Sequence, residues 1–300
     1  MRRSAFFIGC LCALGATMIW SGNFVVSRGL GEVFPPVRLA LLRWITATVA
    51  ILPFGLAAAL RQRALLRRHL GYVLASALLG VSAFNTLIYI AGRHTEAVNM
   101  ALIATSTPVF LMTISALFLG ERVTARTFAG AGVAVCGVVL LVTRGDLARL
   151  LELRFNPGDA LMLLAAFLFS TYSILLRRRP AGLDQGALLT ATFALGAAGL
   201  VPWALWEAWA LPPGSGELTP QVLGAVLYIG VGASVAAYFL WGRALEQAGP
   251  TVAGLIYYTL PLFSGLEAAL LLGEPMTWVH AASGGLIVGG IALATLRRGN

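Results

Sequence analysis

The chain has 300 residues, 59% of them hydrophobic and 11% charged, with mean hydropathy +0.85 and a formal net charge of +9. A soluble domain carries about 25% charged residues, so this composition excludes an ordinary soluble fold, whose surface needs more charge than the chain supplies. The apolar stretches are also too long and too many for one buried core.

Met1-Arg2-Arg3 ahead of an apolar run has the look of a secretory leader. The run continues to about Ser27, however, long enough to span a bilayer, and carries Trp20, Ser21 and Asn23 near its far end, so it reads as a retained first helix. A hydrocarbon core takes about 20 helical residues. Ten stretches approach that length: 5–27, 37–60, 70–92, 98–119, 127–143, 159–176, 187–210, 221–241, 251–272 and 277–296. In the second, Arg38 and Arg43 fall in the first turns and Pro53 interrupts the run. The seventh ends in Pro202, Trp203, Trp206 and Trp209, as expected of an end entering the headgroup layer. Cys10, Cys12 and Cys136 lie inside apolar stretches and read as small buried hydrophobes, implying neither disulfides nor a zinc site. The expectation is an all-α integral membrane protein of ten transmembrane helices.

All 21 basic residues are arginine. They cluster at the ends of the apolar stretches, where lipid headgroups account for them, and this sets nucleic-acid binding aside. With a cytoplasmic N-terminus, fourteen of them fall at cytoplasmic ends, including Arg61, Arg63, Arg67, Arg68, Arg122, Arg126, Arg177, Arg178 and Arg179. An even helix count then places both termini inside.

The longest polar connection, 144–158, divides the chain into five-helix sets at 5–143 and 159–296, and the sets repeat each other. Gly92-Arg93-His94-Thr95-Glu96 is matched 150 residues later by Gly242-Arg243-Ala244-Leu245-Glu246. Pro108 precedes Leu119-Gly120-Glu121 with the spacing by which Pro261 precedes Leu272-Gly273-Glu274. Because each set holds an odd number of helices, the second copy enters the membrane from the opposite side. Two inverted five-helix repeats, with a central site between them, are the arrangement of secondary transporters.

These residues resemble the EamA branch of the drug/metabolite transporter superfamily. The resemblance rests on Leu14-Gly15-Ala16-Thr17-Met18-Ile19-Trp20-Ser21-Gly22-Asn23-Phe24, on Arg43, on Ala101 through Pro108, and on the two Leu-Gly-Glu endings with their Gly-rich following helices. It covers almost the whole chain. It implies a bacterial inner-membrane carrier exporting small metabolites by alternating access, with aromatic amino acid exporters the closest in character. The second half departs from the pattern, having Phe169-Ser170-Thr171-Tyr172 where the first has Trp-Ser-Gly-Asn. The alternatives are a multidrug or lipophilic-cation exporter and, from another class, a membrane-embedded lipid enzyme.

Candidate cavity residues are Trp20, Asn23, Phe24, Arg43, Asn85, Tyr89, Ser170, Ser173, Tyr238, Tyr257 and Tyr258. An amide in hydrocarbon must find a partner, so Asn23 faces protein or a wet cavity. Aromatic rings with a polar edge suit an apolar or aromatic metabolite and stack over its ammonium, while tyrosines and tryptophans near helix ends otherwise form an interfacial belt, Trp241 among them. Arg43 is the basic candidate for a partner or carboxylate-binding role, unless it merely reaches the headgroups. Pro108 and Pro261 each remove an internal hydrogen bond and are gating candidates. Glu267, midway along a span, must be protonated, paired or wet, and is the candidate for energy coupling. Gly285 and Gly289 are spaced for close helix packing, and the terminal helices leave room for a homodimer surface. There is no HExxH, phosphate loop or GxSxG, and His69, His94 and His280 sit near predicted helix ends without the grouping zinc requires. No catalytic site, metal or cofactor is expected. The implied partners are a small-molecule substrate and the bilayer.

Overall fold

The computed structural model describes residues 3–30, 34–95, 97–151, 156–212, 215–272 and 276–295, with the side chains at 3, 24, 25, 27–29, 97, 98, 268, 271 and 272 outside the description. Every regular element among them is helical. In chain order these are α1 (Arg3–Leu30), α2 (Pro36–Arg61), α3 (Arg63–Arg68), α4 (Leu70–Ala77), α5 (Phe84–Ala91), α6 (Ala97–Ala104), α7 (Ser106–Leu119) and α8 (Ala125–Val142). They continue with α9 (Pro157–Arg177), α10 (Gln185–Ala210), α11 (Pro220–Leu227), α12 (Ala237–Gln247), α13 (Pro250–Tyr257), α14 (Leu260–Leu272) and α15 (Trp278–Thr295). Nine stretches among the described residues are long and apolar enough to cross a membrane, with Leu70–Ala91, Asn99–Leu119 and Pro220–Gln247 each counting as one. The chain is an all-α, multi-spanning membrane protein.

Local sequence sets the helix ends. Pro36 opens α2 at a position where its missing N–H costs nothing. Asn156 caps α9 in a reciprocal box with Asp159, and the Asp184 carboxylate caps α10. The interruption expected at Pro53 does not occur, since α2 runs through it to Arg61. A single lost backbone bond is tolerated in a packed transmembrane helix. The breaks come instead upstream of Pro108 and Pro261, at Thr105 and at Tyr258-Thr259. Each proline lacks the N–H that would bond the carbonyl four residues back, and each break carries a threonine whose hydroxyl donates to the carbonyl three residues earlier, Thr105 to Leu102 and Thr259 to Ile256.

Two further irregularities are π-helical, Leu78–Ala83 between α4 and α5 and Tyr228–Ala236 between α11 and α12. They begin 150 residues apart, the spacing of the Gly-Arg motifs.

The core lies between residues before 144 and residues after 156. α8 packs on α15, α2 on α10, α1 on α12 and α14, α5 and α7 on α9, and α13 on α7. α8 and α15 approach closely: a Cβ at Gly130 would overlap the Gly290 carbonyl oxygen, and one at Gly137 would sit 2.8 Å from Ile287. Gly285 and Gly289, expected from their spacing to pack, have no neighbour within 4 Å of a built Cβ. The helix turns Gly290 inward, and these two face out. The cysteines also differ from expectation: Cys136 is exposed and Cys10 and Cys12 are half-buried, because the outer surface of a bundle in lipid is itself apolar. Gly130→Val is therefore expected to cost about 1–3 kcal/mol through overpacking and Gly289→Val close to nothing, as read by unfolding in mixed detergent micelles.

Candidate functional site

α1 carries three polar contacts within one turn, each to a different element. The Trp20 indole N–H donates to the Ala233 carbonyl at 2.9 Å, the Ser21 hydroxyl to Glu267 Oε1 at 2.7 Å, and Asn23 Oδ1 accepts from Arg43 Nη1 at 3.2 Å. Arg43, projecting from α2, is only 1% exposed. It does not reach for the headgroups. Its Nε donates to Ser234 Oγ at 2.7 Å, Nη1 also to the Tyr89 hydroxyl at 2.9 Å, and Nη2 to the Ala233 carbonyl at 3.1 Å, while the guanidinium lies 5.2 Å from the Trp44 ring centroid. All four acceptors are neutral. The ion pairs among the described residues, Arg149–Asp146 and Arg179–Glu246, lie elsewhere. Arginine stays charged at any ordinary pH, and burying an ion costs several kcal/mol unless it is compensated.

The Ala233 carbonyl can serve both Trp20 and Arg43 because it belongs to the π-helical stretch, where the displaced ladder leaves carbonyls open to side chains. The other π stretch does the same. Its Gly80 carbonyl accepts from the Tyr238 hydroxyl at 2.6 Å, and Asn85 Nδ2 approaches that hydroxyl at 3.3 Å. Gly80 is required there, since a Cβ would overlap the Tyr172 ring.

Against this polar group stands an aromatic cluster. Trp20 lies 5.3 Å from Phe169, 5.9 Å from Tyr238, 5.3 Å from Trp241 and 6.2 Å from Tyr257, centroid to centroid. The edge-on geometries with Phe169 and Tyr238 are those the ring quadrupoles favour. Trp241, expected in an interfacial belt, is fully buried, stacked on Phe169 at 5.5 Å with its N–H donated to Ser173 at 3.0 Å. Its position near the end of the 221–241 stretch misled, because the helix continues a further turn and a half to Gln247.

The structure thus brings Trp20, Asn23, Arg43, Asn85, Tyr89, Ser173, Tyr238 and Tyr257 into one connected group. Ser170 stands apart, bonding α9 to the Thr107 carbonyl at 3.1 Å. Tyr258 packs with Met112, Ala131 and Leu255 in a separate cluster. The Phe24 side chain lies outside the description. Pro108 meets Gly254, whose built Cβ would be 3.4 Å from the Pro108 Cα, so the two broken helices face each other. Glu267 holds Ser21 through one oxygen, and its Oε2 is buried with no partner among the described residues. Sequence reasoning missed Ser234, Trp44 and the two open carbonyls. Only Trp44, beside Arg43, carried a readable signal.

No group of three metal-ligating side chains occurs among the described residues. A cavity of about 270 Å³ opens at one helix end beside Arg177, Arg179, Gly242 and Glu246, away from the buried centre.

A multi-spanning helical fold with a buried polar and aromatic centre shared by both halves of the chain suits a membrane transporter. The chain belongs to the EamA-like transporter family, whose model matches residues 7–143 and 156–296. It is 30% identical over 287 residues to an uncharacterized transporter of Archaeoglobus fulgidus, covering 94% of this chain and 95% of the other. It is 25% identical over 287 residues to the probable terminal-alkyne amino-acid exporter of Streptantibioticus cattleyicolor, covering 95% and 93%. With the uncharacterized inner membrane transporter YedA of Escherichia coli K12 it shares 26% over 301 residues, covering 96% and 90%. A solved structure 24% identical to the chain matches its fold at TM-score 0.79, covering 98% and 97%.

Proposed function

We propose that the chain is a secondary carrier of the bacterial inner membrane that exports amino acids with apolar or aromatic side chains by alternating access. The observation that carries this reading is the buried centre, in which Arg43, Asn23 and Tyr89 adjoin an aromatic wall of Trp20, Phe169, Tyr238, Trp241 and Tyr257. A small molecule with a charged head and an apolar body has complementary surfaces there. The similarity to a probable amino-acid exporter supports the choice of cargo, and the name of YedA the choice of membrane.

On this reading α13 and α14 together make a tenth span. Residues 5–143 and 159–296 are then inverted five-helix repeats, joined by 144–158. The repeated motifs, the two π stretches and the two breaks near Pro108 and Pro261 support it, and reporter fusions placing either terminus outside would sink the orientation. The breaks are the pivots on which the halves rock, and the state described, with its centre buried, is occluded. A second copy would dock on the outward-facing Gly285 and Gly289 of α15, a contact that cross-linking in native membranes tests.

Counterflow in proteoliposomes against amino acids and lipophilic cations tests the function. Labelled apolar or aromatic amino acids should accumulate against unlabelled substrate without ATP. Tyr89→Ala should cut this uptake about tenfold at normal membrane abundance, because its hydroxyl holds the Arg43 guanidinium in place before substrate docks. Tyr258→Ala should weaken uptake if its ring lines the path in another state. Uptake of cations alone would favour the multidrug reading, for which Glu267 is the motivating residue.

A further inference from the structure

We infer that Arg43 is the specificity-determining residue of this carrier, and that the counter-charge it lacks is a carboxylate brought by the transported molecule. The inference rests on the transporter reading and narrows its substrate class to carboxylates, against lipophilic cations. Arg43 is a permanent cation sealed from water, and no carboxylate pairs with it among the described residues. Four of its five N–H groups go to neutral acceptors. Guanidinium and carboxylate form a matched fork that a hydroxyl or an amide oxygen cannot reproduce.

The four acceptors divide into two kinds. Ser234 Oγ and the Ala233 carbonyl are fixed in the π-helical stretch of the second half, and Ser234 is itself anchored by a 2.8 Å bond to the Ile229 carbonyl. Asn23 and Tyr89 are side chains of the first half, on α1 and α5. Nη1, which serves both, and the fifth N–H, on Nη2, form the edge on which an incoming carboxylate docks. Asn23 and Tyr89 thus stand in for the substrate when the site is empty. Loading exchanges two first-half contacts for the cargo while Ser234 and Ala233 keep hold of Arg43. The aromatic wall, beginning at Trp20 one turn before Asn23 on α1, receives the apolar body.

The test measures binding by thermal shift and tryptophan fluorescence on the purified full-length protein. The ligands are acids paired with their neutral amides, drawn from aromatic, aliphatic and short-chain compounds with and without an α-amino group, together with phenethylamine. The wild type should bind acids at least roughly 30-fold more tightly than the matching amides, the scale of one desolvated charge pair, and should not bind phenethylamine. Arg43→Gln should remove the preference. Asn23→Asp, nearly isosteric, builds a counter-charge into the chain. It should fold at least as well as the wild type and lose the acid preference, which keeps the test decisive if Arg43→Gln does not fold. Equal binding of acids and amides, binding of no acid, or a wild-type preference surviving in Asn23→Asp would overturn the inference. Binding only of acids lacking an α-amino group would uphold it while removing the amino-acid reading.

Discussion

Glutamine in place of Glu267 is expected to abolish the response of net transport to an imposed pH gradient while leaving substrate counterflow intact. Glu267 sits midway along α14, five residues before the end of the apolar stretch 251–272, closer to that end than its expected place midway along the span. One oxygen accepts from Ser21 on α1, and the other is buried without a partner among the described residues. No ion pair joins Arg43 to it among the described residues. A carboxyl so placed carries charge only when water reaches it. Rocking of the halves would bring that water from one side and then from the other, letting Glu267 take up a proton on one face and release it on the opposite one. Glutamine keeps the shape and can still accept from Ser21, so packing and exchange survive while proton uptake is lost. Flux through wild type and variant, with and without the gradient, checks this. Equal gradient responses, or none in the wild type, would leave Glu267 as a brace between α1 and α14, and alanine there would then mainly lower folded yield.

The second large effect is expected at Asp159, where alanine should lower unfolding stability by about 3 kcal/mol or more through donors stranded in a buried site. Asp159 is buried in the first turn of α9. It accepts from the Thr95 hydroxyl, from Asn99 Nδ2 at 3.2 and 3.3 Å to its two oxygens, and from the Asn156 backbone N–H at 2.9 Å. Asn156 Nδ2 closes the group by donating to the Thr95 hydroxyl at 3.1 Å. The neighbouring Gly158 makes this fit, since a Cβ there would come within 2.9 Å of the Ala91 carbonyl. Asparagine at 159 keeps one acceptor oxygen for the cap and should cost less than alanine. Unfolding free energies of the two variants in mixed micelles decide it, and an alanine variant as stable as wild type would mean the cluster contributes nothing.

Much of this architecture is legible in the sequence, because a bilayer imposes lengths that hydropathy reports directly. The spans at 37–60, 159–176 and 187–210 lie within α2, α9 and α10. Asn156-Pro157 followed by Asp159 is a readable helix start, though the side-chain cluster that Asp159 gathers from α6 and the preceding turn is not. What cannot be read is where a long helix loses its register. Pro108 and Pro261 mark helices that break, but the breaks fall two or three residues earlier, and nothing in Leu78–Ala83 or Tyr228–Ala236 announces a π-helix. The open carbonyls of Gly80 and Ala233 follow from those stretches, so two of the acceptors in the polar centre are main chain that no residue pattern displays. Helix-face assignments fail for the same reason. Spacing offers Gly285 and Gly289 for packing, while the local rotation of α15 presents Gly290.

Alternating access about the buried centre is tested most directly by distances across the two ends of the bundle. Spin labels at Arg93 and Glu217 span one end, and labels at Arg122 and Ala181 the other, all at exposed positions. In liposomes, adding a transported amino acid or imposing a gradient should lengthen one distance as it shortens the other. Two distances that stay fixed, or that change in the same direction, would contradict the account.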